Sequence, residues 1–412
     1  MLQLENILQA KENFWDFIST TPLEKSHRLS KKYDAEIYLK REDLNTVRSY
    51  KIRGSFHLMQ SLSETEKQAG IVCASAGNHA QWVALTCKTL KIQWAIFMPL
   101  TTPEQKVYKT KQFGWEYVEV FLVWDTFDEA FTQSKKYQKE KNAVFVHPFD
   151  DERIIAWQAT IWLEIYNQIW EDIDYIICPV WWWWLISGII RITQFLNKKT
   201  QIIGVEPLWA SSMKVSIEKW ENTLLEKIDI FVDGASVKRV GNENFKICKE
   251  SNLRVLTSPE NRVCSTLLEY LREDGIVVEP AWALATDILK DLKDEIKGKK
   301  VVVIVSGWNF DFERLPEVKE RSMKFEWKKR YFIISFPQRP GALKDFLSCM
   351  WPNDDIARFE YMKKSNKDKA PVLMWIETTQ KENFEKIEEK MKLLWFKYED
   401  ITEHEMYFDL LI

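Results

Sequence analysis

Between residues 30 and 310 the chain alternates short, β-branched apolar runs with stretches of helical periodicity, and this limits its fold more than any other feature. The runs include "GIVCAS" (70–75), "WAIFMP" (94–99), "AVFVHP" (143–148), "DYIICPV" (174–180), "QIIGVEP" (201–207) and "VVVIVSG" (301–307). Unbroken apolar runs of this length suit parallel strands covered on both faces. Helical stretches at 77–90, 103–113, 151–169 and 186–196 supply the crossovers. The expectation is an α/β core of parallel sheet flanked by helices. At 312–329 a strongly charged connecting helix and linker intervenes, and the pattern then changes. "RYFIISFPQRPGALKDFLSCM" reads as strand, Pro-Gly turn and helix, "RFEYMKKSNKDKAPVLMWIETT" as a hairpin, and "KENFEKIEEKMKLLWFKYEDI" as helix and strand. Together these predict a closing α+β unit of roughly 85 residues.

The 58 basic and 61 acidic side chains nearly cancel, for a formal charge of −3, so nucleic acid is not an expected partner. The stretch "MLQLENILQAKENFWDFI" lacks a basic segment followed by an apolar one, which argues against a signal peptide. No apolar run reaches the length of about 18 residues that spans a bilayer, so no membrane association is expected. Six cysteines are scattered without metal-type spacing, and free thiols in a reducing cytoplasm are the expectation.

Chemistry gathers at three turns. "SAGNHAQ" (75–81) is a small-residue turn that leaves a strand and opens a helix, which makes it an anion and ligand site by construction. Its candidates are Ser75, Ala76, Gly77 and Asn78, with local capping by Asn78 as the bland alternative. A second turn, "WWWWLISG", follows the strand at 174–180 and holds Trp181, Trp182, Trp183, Trp184 and Leu185. A third follows 301–307 and holds Ser306. Upstream, "SYKIRG" carries Lys51, which alone reads as part of a basic loop entering a helix. Three such turns and a lysine define one crevice at the carboxyl ends of parallel strands.

In combination, "SYKIRG", "ASAGNHAQ" and "VEPLWASS" resemble the threonine dehydratase family of fold-type-II pyridoxal-phosphate enzymes, and "FPQRPGAL" with "RFEY" resembles that family's ACT-like regulatory domain. The resemblance implies a catalytic domain over 1–315 with a smaller subdomain at about 43–150 inserted in it, a linker at 316–327 and a regulatory domain over 328–412. It implies pyridoxal 5'-phosphate as cofactor and the deamination of L-threonine to 2-oxobutanoate and ammonia for isoleucine synthesis, with L-serine as a secondary substrate. Lys51 would hold the cofactor and later take the substrate α-proton. Asn78 would meet the ring hydroxyl, Ser306 the pyridine nitrogen, and residues 75–78 the substrate carboxylate. Residues 181–185 would cradle the phosphate. Isoleucine and valine would be effectors, and pairing of regulatory units implies a homodimer or homotetramer. A catabolic serine/threonine dehydratase or serine racemase is the runner-up. Racemase-type relatives place an acid for a divalent metal where this chain has Ser212, so no metal is expected.

The tryptophans sit badly with this reading. The family cradle is a run of four glycines, because successive amides turn toward one phosphate only where positive φ is free and no Cβ intrudes. Trp82, Trp282 and Trp308 likewise stand at family glycine positions, and Trp115 occupies a helix-exit turn that wants a left-handed residue. The chain has 12 glycines and 20 tryptophans, together 32 of 412 or 7.8%, against an ordinary glycine content of about 7%. Codons GGA and UGA differ in one base, and UGA is read as tryptophan in one genetic code and as glycine in another. The expectation is that most of these tryptophans are UGA codons read under the wrong table. If they are genuine, the chain is a non-catalytic sensor of amino acids.

Overall fold

The computed structural model describes residues 4, 5, 7, 8, 19–75, 77–146, 152–169, 171–180, 183–196, 199–307, 310–363 and 367–404. The chain divides into two compact units, Met1–Glu260 with Asp274–Phe310, and Asn261–Glu273 with Asp311–Ile412.

The first unit holds two sheets. Strands β1 (Leu23–Lys25), β2 (Glu36–Arg41), β10 (Lys300–Val305), β7 (Tyr175–Pro179), β8 (Gln201–Pro207) and β9 (Arg254–Ser258) form one, in that spatial order. Only β1 runs antiparallel to its neighbour. The second sheet is parallel throughout, in the order β5 (Val118–Leu122), β4 (Trp94–Met98), β3 (Ile71–Ala74), β6 (Val144–Phe145). The β3, β4 and β7 runs are buried at every position, because helices cover both faces. The run expected at 143–148 forms a strand only at Val144–Phe145, and its residues from 147 onward lie outside the described ones. The helix expected over 151–169 is two, Glu152–Gln158 and Thr160–Gln168. The break at Ala159 falls where Gly188 of the helix Trp184–Phe195 approaches so closely that a Cβ there would lie 2.7 Å from the Ala159 nitrogen.

A buried ion network seats the segment around Lys51. The Arg53 guanidinium pairs with Glu42 (Nη2–Oε1 2.9 Å) and with Glu164, and Lys40 Nζ lies 2.7 Å from Glu164 Oε2. The four groups balance in charge and are all buried. Such a cluster stands only while complete, because removing one charge strands another in low dielectric.

In the second unit β11 (Lys329–Pro337), β12 (Asp355–Tyr361), β13 (Lys369–Glu377) and β14 (Lys397–Asp400) form an antiparallel sheet in the order β12-β13-β11-β14. Helices Ala342–Leu347 and Glu382–Leu393 complete a βαββαβ unit of ferredoxin-like order. Alternation along β11 and β13 points Phe332, Ile334, Phe336, Val372, Met374 and Ile376 into its core. The segment Asn261–Glu273 also belongs to this unit, where Ser265 Oγ meets Ser322 Oγ at 2.8 Å.

Candidate active site

Lys51 is placed by the end of β10. Ser49 forms an antiparallel bridge with Gly307, and the Tyr50 N–H donates to the Ser306 carbonyl at 3.1 Å. The helix Ile52–Gln60 then begins, so Lys51 sits at a strand-end crossing beside Ser306. Its side chain is buried, and burial holds the ammonium well below the ordinary lysine range against the opposing pull of Glu279 and Asp233. Glu279 is the N-cap residue of the helix Pro280–Asp287, and Asn78 Nδ2 donates to its Oε1 at 3.2 Å. Burial first, then Asp233, pushes the Glu279 carboxyl up to about 7. Asp233 in turn pairs with Lys106 at 3.7 Å. Lysine, carboxyl and amide therefore share one buried pocket.

The turn after β3 is open on its outer side. The Ser75 N–H donates to the Phe97 carbonyl at 3.1 Å, and Ser75 Oγ accepts the Gly77 N–H at 3.2 Å. Gly77 is the N-cap of the helix Asn78–Leu90, has no side-chain cap, and among the described residues beyond its chain neighbours has nothing within 4 Å of the place a Cβ would take. Ala76 lies outside the described residues. In the same helix His79 stands edge-on to Trp82, with ring centroids 4.3 Å apart.

Ser306 Oγ is buried and has no hydrogen-bond partner among the described residues. A hydroxyl so stranded costs about 1–3 kcal/mol, which a ligand acceptor or donor at that point would recover.

At the turn after β7, Trp181 and Trp182 lie outside the described residues, as does Trp308 after β10. Trp183 has φ 44° and ψ −15° and is the N-cap of the helix Trp184–Phe195, with no side-chain cap. Trp183, Trp184 and Leu185 are buried, and the Trp183 indole N–H has no partner among the described residues. Trp82 and Trp282 are also fully buried, and a Cβ on Gly307 would lie 1.7 Å from the Trp282 ring.

Residues 14–307 match the family model of pyridoxal-phosphate dependent enzymes, and residues 320–411 that of the C-terminal regulatory domain of threonine dehydratase. The chain is 47% identical over 412 residues to the biosynthetic L-threonine dehydratase IlvA of Halalkalibacterium halodurans, covering 100% of this chain and 99% of that one. The IlvA of Bacillus subtilis is 43% identical over 413 residues, covering 100% and 98%. The chain belongs to the threonine dehydratase family of pyridoxal-phosphate-dependent enzymes. Among solved structures, the processed threonine deaminase isoform 2 of Solanum lycopersicum is 32% identical, with a TM-score of 0.73 over 78% of this chain and 94% of that one. A bacterial threonine deaminase, that of T.th., is 27% identical, with a TM-score of 0.70 over 76% and 99%. The family's fold-type-II architecture with a C-terminal regulatory domain is the one expected from the motifs.

The family's cofactor fits one end of this site and not the other. At the ring end stand a buried lysine whose charge is suppressed and a partnerless buried hydroxyl, groups that a pyridine ring with a reactive carbon would engage. At the phosphate end the backbone has an anion-cradle shape, with a left-handed residue ahead of an uncapped 12-residue helix, but buried indoles occupy positions 183 and 184.

Two site residues carry no readable signal of their own. Asp233 stands in an irregular segment without a motif, and Lys106 looks like any exposed helical lysine. Its helix also carries Lys109, three residues on and so on the same face, whose ammonium burial lowers while Glu279 opposes the shift. Glu206, beside the position where racemase-type relatives place a metal ligand, is used otherwise. Its carboxylate accepts the Met213 and Lys214 N–H groups at 2.9 Å each and caps the helix Ser212–Lys219, and burial pushes it up to about 8.

Proposed function

We propose that the chain deaminates L-threonine to 2-oxobutanoate and ammonia, with L-serine as a secondary substrate, as the first reaction of isoleucine synthesis. The observation that carries this reading is the buried Lys51, under the field of a Glu279 that holds Asn78, next to a Ser306 hydroxyl without a partner among the described residues. When bound, pyridoxal phosphate supplies an electron sink for the charge left at the substrate α-carbon. Everything else is done by the protein. Lys51 Nζ, whose hold on a proton desolvation weakens, takes the α-proton. Glu279 accepts from the Asn78 amide and so fixes the orientation of the group that would meet the cofactor's ring oxygen. Ser306 offers the ring nitrogen a neutral hydroxyl, which keeps electron withdrawal modest and favours loss of the β-hydroxyl over transamination. The open turn at 75–78 takes the substrate carboxylate on backbone amides. Positions 181–185 would carry the phosphate through their backbone once glycine replaces the indoles that occupy 183 and 184.

The catalytic assignment covers 1–315 with the subdomain at 43–150, the linker 316–327, and the regulatory assignment 328–412. Isoleucine inhibits and valine opposes it through the C-terminal unit, in a homodimer or homotetramer. The six cysteines are buried and none is in a disulfide, in keeping with a cytoplasmic setting.

The test is to express the chain with glycine at 181–184 and 308, load the cofactor, and follow ketoacid release from threonine with and without isoleucine. Cofactor bound through Lys51 without ketoacid release overturns the reading. The second reading, a sensor without catalysis, rests on the buried Trp183 indole in the cradle. It predicts that the chain carrying tryptophan binds isoleucine yet takes up no cofactor.

A further inference from the structure

We infer that the working protein carries glycine, not tryptophan, at positions 115, 124, 183, 220, 327 and 395. Eleven described non-glycine residues have positive φ, and six of them are these tryptophans, with φ between 44° and 61°. Tryptophan makes up 20 of 412 residues, so it is heavily over-represented in this conformation. It has no means of tolerating the left-handed region, where Cβ meets the following carbonyl, and it lacks the short polar side chain by which asparagine and aspartate compensate. Asp34, Asn142 and Asn252 in the same set are such residues, whereas Arg48 and Lys91 have no special tolerance.

Hydrogen bonding around three of the six is specific to glycine's usual place. The Trp220 N–H donates to Ile217 and the Glu221 N–H to Ser216, the Trp327 N–H to Lys324 and the Lys328 N–H to Met323, and the Trp395 N–H to Lys392 and the Phe396 N–H to Met391. Each pair is a complete Schellman closure of a helix, with tryptophan in the position that glycine dominates. Trp115 ends the helix Glu104–Gly114 with φ 50° and ψ −129°. Five of the six indoles are exposed, at 43–85%, so little burial offsets the strain. Trp183 is the buried exception, and a glycine there clears the N-terminus of its helix for an anion.

Positions 124, 220, 327 and 395 carry no motif, and backbone geometry alone selects them. They agree with the motif positions 115 and 183 in both the residue present and the residue wanted. One cause covers all six, a UGA codon that the source cell reads as glycine. The inference is independent of the proposed activity, since it rests on backbone conformation and helix closure.

Peptide mass spectrometry of the protein isolated from the cells that encode it, with the gene sequenced from the same cells, tests it. Glycine at all six positions from UGA codons is the expected result. Tryptophan at any of the five exposed positions, or UGG codons there, overturns it. A recombinant pair adds a second readout, the chain with its tryptophans against one with glycine at 115, 124, 220, 327 and 395. The glycine chain should melt at higher temperature, and an unchanged or lower melting temperature also overturns the inference.

Discussion

Glu279→Gln is the perturbation that interrogates the buried pocket most directly. The Glu279 carboxyl rises from an ordinary 4.5 to about 7 in the folded chain, chiefly through burial. Between those values the folded state holds a proton that the unfolded state has lost, so stability falls as pH rises through this window. The gap of about 2.5 pH units corresponds to about 3 kcal/mol, present in full below pH 4.5 and gone above pH 7. Glutamine keeps a carbonyl oxygen for the Asn78 amide but carries no titrating proton. Urea unfolding of the cofactor-free chain should therefore be followed from pH 5 to pH 8, for the parent and for Glu279→Gln. The parent should lose more stability than the variant across this range, by up to about 3 kcal/mol. Parallel pH profiles would refute the assignment of a neutral, buried carboxyl beside Lys51.

Lys51→Ala should leave far-ultraviolet circular dichroism unchanged while lowering threonine deamination by about 10³-fold or more and removing the absorption of lysine-linked cofactor. Ser306→Ala removes a hydroxyl that has no partner among the described residues of the cofactor-free chain. Unfolding should show the apo variant no less stable, whereas cofactor titration should show affinity weakened by roughly tenfold, the worth of one hydrogen bond. Arg53→Met strands the buried Glu42 and Glu164 carboxylates, and denaturant unfolding should show a loss of about 3–5 kcal/mol. A loss under about 1 kcal/mol would mean that the network is far more hydrated than its burial indicates.

The strands at 71–74, 94–98, 175–179, 201–207 and 300–305 are legible because burial on both faces leaves mostly apolar letters. β2 is hidden for the opposite reason. Its "EIYLKR" reads as part of a charged stretch, since Lys40 is buried on an ion pair rather than exposed. β5 is half-exposed and β9 short and mixed, so neither leaves an apolar run. In the pocket, Lys51, Ser75 and Asn78 are readable because each lies in a compact turn motif. Asp233 and Lys106 arrive from separate parts of the chain, and only the fold brings them to Glu279. Position 183 is readable as a glycine site from its motif, but 220, 327 and 395 become so only once their helices end.

The pairing of Ser49 with Gly307, and of the Tyr50 amide with the Ser306 carbonyl, fastens Lys51 and Ser306 into a single mechanical piece. Whatever loosens the exit of the central strand would carry away the proton acceptor and the hydroxyl together, so partial damage here has no half-active form. Hydrogen-deuterium exchange at one amide, that of Tyr50, should therefore track the survival of the whole catalytic apparatus, well before global unfolding registers.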